Sequence, residues 1–101
     1  MAPRLWPGLR ELDVGSWTGL TRPEILARDR EALLRFDARE DAPAGGGESR
    51  AELARRARGS LAKLRRGHPE LRIAVVTHLG VIRAVAGEEL GHAEWRWLEA
   101  P

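Results

Sequence analysis

A chain of 101 residues is long enough for one small domain, and 43% hydrophobic with 32% charged residues is a globular composition, neither disordered nor fibrous. The absence of cysteine excludes disulfides and thiolate metal sites, and the three histidines, His68, His78 and His92, are too scattered for metal-ligand spacing, so no metal or other cofactor is expected. The formal net charge is only +2, and the sequence pI of 10.3 reflects a slight arginine excess with no tyrosine or cysteine to titrate below it.

Every basic residue except Lys63 is an arginine, and the arginines alternate with acids, as in Arg28-Asp29-Arg30-Glu31 and Arg39-Glu40-Asp41. That pattern reads as solvated helix faces and not as a nucleic-acid patch. No apolar run is long enough to span a bilayer, and the opening Met1 to Pro7 is broken by two prolines and carries no signal-peptide core. The expectation is a cytoplasmic protein with no nucleic-acid and no membrane partner.

In chain order, Leu9 to Leu20 shows no clean period and holds two glycines and a tryptophan, the composition of an ordered loop after a short extended piece. Glu11 lies between Leu9 and Leu12. A carboxyl withdrawn from water there would hold its proton more tightly and suit proton donation, with an exposed loop glutamate as the alternative. Thr21-Arg22-Pro23-Glu24 has the form of a capping box with proline in the first turn, opening a helix to about Phe36 with Ile25, Leu26, Leu33 and Phe36 inward. Asp37 to Gly47 reads as a loop whose three consecutive glycines admit backbone angles other residues avoid. Ser49-Arg50-Ala51-Glu52 is a second box, and it starts an amphipathic helix to about Arg66 with Leu53, Ala57, Leu61 and Leu64 inward. Gly67 closes it and Pro69 prevents its continuation, which makes His68 a helix-end residue.

Ile73-Ala74-Val75-Val76-Thr77 is an uncharged, β-branched run that reads as a strand covered on both faces, the habit of parallel sheets. His78, Leu79 and the turn at Gly80 follow, and the chain re-enters as a short helix to about Val85. A histidine between a strand end and a helix N-terminus can donate a hydrogen bond to phosphate, or be satisfied by a neighbouring carbonyl. From Glu88 to the end, Leu90, Trp95, Trp97 and Leu98 are large apolar residues expected to pack on something.

Taken together, the stretches LRELDVGSWTGLT, GGGESRAELARR and VVTHLGVIR resemble, in order and spacing, the histidine phosphatase superfamily with its phosphoglycerate-mutase-like fold, and within it the small phosphatases more than the mutases. The resemblance covers about residues 5 to 87. It implies a three-layer α/β fold with a mostly parallel sheet, incomplete here, and hydrolysis of a small phosphomonoester through a phosphohistidine. Glu11 would be the general acid for the leaving oxygen and His78 the second active-site histidine, binding the transferring phosphoryl group together with the backbone N–H of Leu79. Phosphoryl transfer needs mainly positioning and charge stabilisation, which suits such a set. The short interval between Glu11 and His78 leaves little room for a mutase-type insertion and favours hydrolysis.

One departure weighs against the matches. The family's nucleophile lies in an Arg-His-Gly motif on its first strand, and no Arg-His pair occurs in this chain. Residues 1–101 are therefore expected to be a partial domain lacking the N-terminal strand and helix with that segment, inactive alone and marginally stable, with an oligomer or the missing N-terminal segment as partner. The alternative is a non-catalytic remnant or a phosphate- or partner-binding module.

Overall fold

A computed structural model describes residues 3–87 and 90–98. The described residues form three α-helices, α1 over Arg22–Asp37, α2 over Arg50–Gly67 and α3 over Leu79–Ala86, with short 3-10 turns at Pro7–Leu9, Gly15–Trp17 and Ala44–Gly46. They contain no strand. This overturns the expected three-layer α/β fold with a parallel sheet. Residues 73–77 run as irregular chain, with Val76 98% and Ile73 and Val75 each 39% exposed, so the run read as covered on both faces is open to solvent. The physical reason is that β-branched composition fits a strand without supplying one: a ladder exists only where a neighbouring strand accepts and donates its hydrogen bonds.

The chain divides into two compact units, Leu12–Leu53 on the one hand and Met1–Glu11 with Ala54–Pro101 on the other. In the first, Trp17, Leu33 and Ala44 form a buried cluster against which Leu12, Val14, Ile25, Leu26, Ala32 and Phe36 pack, so the inward stripe expected of α1 is the one observed. Trp17 meets Phe36 edge-on at 5.8 Å, and its indole N–H donates to the Asp29 carboxylate at 3.1 Å. Asp29 is the point at which α1 leaves helical geometry, with φ −138° and ψ 49°. The glycine loop behaves as its composition implies: Gly45 has φ +57°, and a Cβ there would press on the Trp17 ring at 2.8 Å. Asp13 and Glu48 fasten this loop, the Glu48 N–H donating to the Asp13 carbonyl at 2.7 Å and the Asp13 N–H to the Glu48 carboxylate at 3.0 Å.

Both capping boxes form. At α2 the Glu52 N–H donates to the Ser49 hydroxyl and the Ser49 N–H to the Glu52 carboxylate, each at 3.1 Å. At α1 the Thr21 N–H and hydroxyl both donate to Glu24, at 3.1 and 2.8 Å. The backbone bond first, and the hydroxyl second, hold the Glu24 carboxyl below its usual value. A lowered carboxylate favours the folded helix above the ordinary glutamate pKa, and the contribution disappears as pH falls through the lowered value. Acid titration followed by the amides of Thr21 and Glu24 is therefore expected to show the first turn of α1 loosening at the acid end, and Thr21→Ala, which removes the hydroxyl bond and keeps the backbone one, to weaken that transition while costing about 1 kcal/mol of helix stability. An acid transition identical in Thr21→Ala would contradict the box as its cause.

In the second unit, α2 buries Ala57 and Ser60. Gly67 ends the helix, and the His68 N–H donates to the Leu64 and Arg65 carbonyls at 3.1 Å, making His68 the helix-end residue expected. α3 closes on Gly87, whose left-handed φ of 69° lets its N–H return to the Arg83 carbonyl at 3.0 Å. Of the segment read as Glu88 to Pro101, residues 88–89 and 99–101 lie outside the described residues. Trp95 and Trp97 do not bury themselves as expected: they are 68% and 70% exposed and meet each other edge-on at 5.7 Å, with the Arg72 guanidinium 5.6 Å from the Trp97 ring.

Candidate site at the start of helix α3

The local sequence explains why α3 begins where it does. His78 has extended backbone angles, φ −105° and ψ 158°, and its carbonyl accepts the first intrahelical bond, from the Ile82 N–H at 3.0 Å. It is thus the N-cap, although its imidazole makes no capping bond and stands exposed. Val81, one turn in, is the residue that anchors the helix, at 1% exposure. A helix start leaves its first N–H groups without acceptors inside the helix. One of these is used here: the Gly80 N–H donates to Oε2 of Glu11 at 3.2 Å.

That bond joins residues 69 positions apart and brings two of the sequence-predicted residues into one place, since Glu11 ends on the residue but one after His78. Leu79 is the first residue of α3 and is 41% exposed. Of the two readings of Glu11, the exposed glutamate is the one observed and not a carboxyl withdrawn between leucines, and it accepts from the helix-end N–H. A carboxylate at the positive end of a helix is favourably placed.

Two residues that sequence reasoning passed over complete the geometry. Gly80 admits the carboxyl group: a Cβ at this position would overlap Oε1 of Glu11 and lie 3.0 Å from its Cδ and 3.2 Å from its Oε2. Thr77 fixes the approach, its hydroxyl donating to the Leu9 carbonyl at 2.6 Å. The segment carrying Glu11 and the segment carrying His78 are therefore tied twice, once on each side of the histidine. Arg56 grips the first of these segments from α2, with Nη1 donating to the carbonyls of Gly8 at 2.8 Å and Arg10 at 3.0 Å, and Nη2 to that of Glu11 at 3.4 Å. A signal for Arg56 existed in the sequence. It stands three residues after Leu53 and four before Ser60, on the stripe α2 buries, where an arginine needs a reason.

An exposed N-cap histidine, helix-start N–H groups and a carboxyl group lie at one end of α3. Such a set can hold an oxyanion through hydrogen bonds and exchange a proton with it. Among the described residues no group of three or more histidines, acids and cysteines is arranged to hold a metal ion, and no helix is long and apolar enough to cross a membrane.

Comparison with known proteins agrees with the motifs. Over 82 residues the chain is 39% identical to the metal-independent phosphoserine phosphatase of Arabidopsis thaliana, a match covering 78% of this chain and 34% of that protein. The chain thus spans about a third of the length of the curated relative it matches. No solved structure matches it. The family model of the histidine phosphatase superfamily (branch 1) matches residues 1–100, in agreement with the motifs around Glu11 and His78, and the chain belongs to that superfamily.

Proposed function

We propose that this chain contributes the general acid and the phosphoryl-binding histidine to hydrolysis of a phosphomonoester through a phosphohistidine. The observation that supports the reading is the hydrogen bond from the Gly80 N–H to Glu11, which sets a carboxyl group beside the N-cap histidine. A nucleophilic histidine would attack phosphorus, forming the N–P bond as the P–O ester bond breaks. Glu11, carrying a proton taken up as the anionic substrate binds beside it, would pass that proton to the departing oxygen, and His78 with the N–H of Leu79 would balance the charge on the transferring group. Water then takes the phosphoryl group from the histidine and releases phosphate. Positioning and charge balance are what this reaction asks of a protein.

Phosphoserine is the first substrate to try, because the Arabidopsis relative is named for it. The chain contains no Arg-His pair, so by motif none of its histidines matches the attacking one. The same observation favours a second reading, a phosphate-binding or partner-binding module without chemistry. Incubation with labelled phosphoserine separates the two. Acid-labile label on a histidine of this chain means catalysis; phosphate-induced shifts at His78 and Gly80 without label mean binding only. Loss of an exposed, charge-assisted hydrogen bond predicts that His78→Ala weakens phosphate binding about tenfold. Glu11→Gln removes a negative charge beside the anion and is expected to leave binding equal or tighter. Unchanged affinity in His78→Ala would remove His78 from the role proposed.

A further inference from the structure

The backbone around Glu11 belongs to no helix, and a segment of that kind holds a side chain in place only if it is itself held. Besides the Thr77 hydroxyl on the Leu9 carbonyl, one guanidinium grips it at three points. Arg56 reaches three carbonyls within four residues, those of Gly8, Arg10 and Glu11, and the last is the carbonyl of the acid itself. A guanidinium is planar, with its donors in a fixed fork, so three acceptors bound to one such group are fixed relative to one another; an ammonium on a flexible stem imposes no such frame. The surrounding packing fits a dedicated clamp. Ala57 and Ser60 on the same face of α2 are buried, and Gly8 lies so close to that face that a Cβ would overlap the Ser60 hydroxyl and come within 2.9 Å of its Cβ. The segment is pressed on α2 by the absence of a side chain and then gripped by the arginine beside it.

We propose that Arg56 is a positioning residue for Glu11: by fixing the carbonyls from Gly8 to Glu11 it sets where the carboxyl group meets the N-terminus of α3. The inference rests on reading Glu11 as the proton donor, but its test reads only the position of the carboxyl group. In the labelled chain the Gly80 amide follows the protonation of Glu11 through their hydrogen bond, and Glu11→Gln identifies which part of its pH response comes from that carboxyl. Arg56→Lys, which keeps the charge and most of the stem, is expected to lose that response while hydrogen exchange along α2 stays as in the parent. Arg55→Gln, on the exposed face of the same helix, is expected to keep it. A full Gly80 response in Arg56→Lys overturns the proposal. Should Arg56→Lys fail to fold, the parent protein decides: separate Nη signals from Arg56 show a guanidinium locked on its carbonyls, whereas one averaged signal overturns the proposal. A failure of Glu11 as acid would appear in turnover and leave the Gly80 titration intact, so the two failures are told apart.

Discussion

Gly80→Ala is expected to leave α3 as stable as before, or firmer, while detaching Glu11 from it. Alanine is the better helix former by about 0.5–1 kcal/mol, which works in favour of the variant. Against it stands the loss of a hydrogen bond to a charged acceptor, worth about 1.5–3 kcal/mol where solvent is excluded and less at an exposed carboxylate such as this one. The two nearly cancel in stability. They do not cancel in geometry, because the new Cβ would occupy the space of Oε1 of Glu11, with Cδ and Oε2 only 3.0 and 3.2 Å away. A displacement of about 1 Å in a reacting group costs on the order of 10²-fold in rate, and that is the loss expected wherever the chain takes part in turnover. Two measurements check it: the thermal midpoint, expected unchanged within a degree or two, and the response of the amide at position 80 to protonation of Glu11, expected to vanish. Retention of that response would show that the carboxyl group has other means of staying in place.

Trp17→Ala is expected to have the largest effect on stability. The cluster of the Leu12–Leu53 unit has three buried members, Trp17, Leu33 and Ala44, and the tryptophan is by far the largest. Truncating a buried tryptophan costs about 3–5 kcal/mol, a large share of the 5–15 kcal/mol by which ordinary domains are stable. It would also strand the Asp29 carboxylate that accepts the indole N–H and remove the edge-on partner of Phe36. The expected result is a unit that no longer unfolds cooperatively, read by loss of near-ultraviolet dichroism and of slow hydrogen exchange in α1. Trp17→Phe separates the contributions: it keeps an aromatic ring against Phe36 and gives up the hydrogen bond, for a cost of about 1 kcal/mol. If Trp17→Ala lost no more than Trp17→Phe, the ring would not be the centre of this cluster.

What could be read from the sequence was what the chain encodes locally. Each capping box is complete within four residues, and both helices begin at the boxes at Thr21 and Ser49. Gly87 closes α3 for an equally local reason. Ile73 to Thr77 failed because a strand is a relation between segments: the composition favoured a ladder, and among the described residues no second strand takes part in one. The site divides along the same line. Glu11, His78 and Leu79 were picked out by motif. Gly80 and Arg56 were not, since the one matters for a side chain 69 positions away and the other for carbonyls more than 40 positions away. Arg56 was lost among arginines that do face solvent, and only its place on the buried stripe of α2 set it apart.

The long reach of the bond between Glu11 and Gly80 also sets an order of assembly. Helical turns close over four residues within microseconds, whereas contact across 69 positions must first overcome the closure entropy of everything between, and the same holds for Thr77 and Leu9 across 68. The end of α3 that meets Glu11 is therefore acquired late during folding, after α1 and α2 have turned their first coils. By the same reasoning it is released early: a partial opening that parts residues 9–11 from 77–80 dismantles the candidate site while leaving every helix intact.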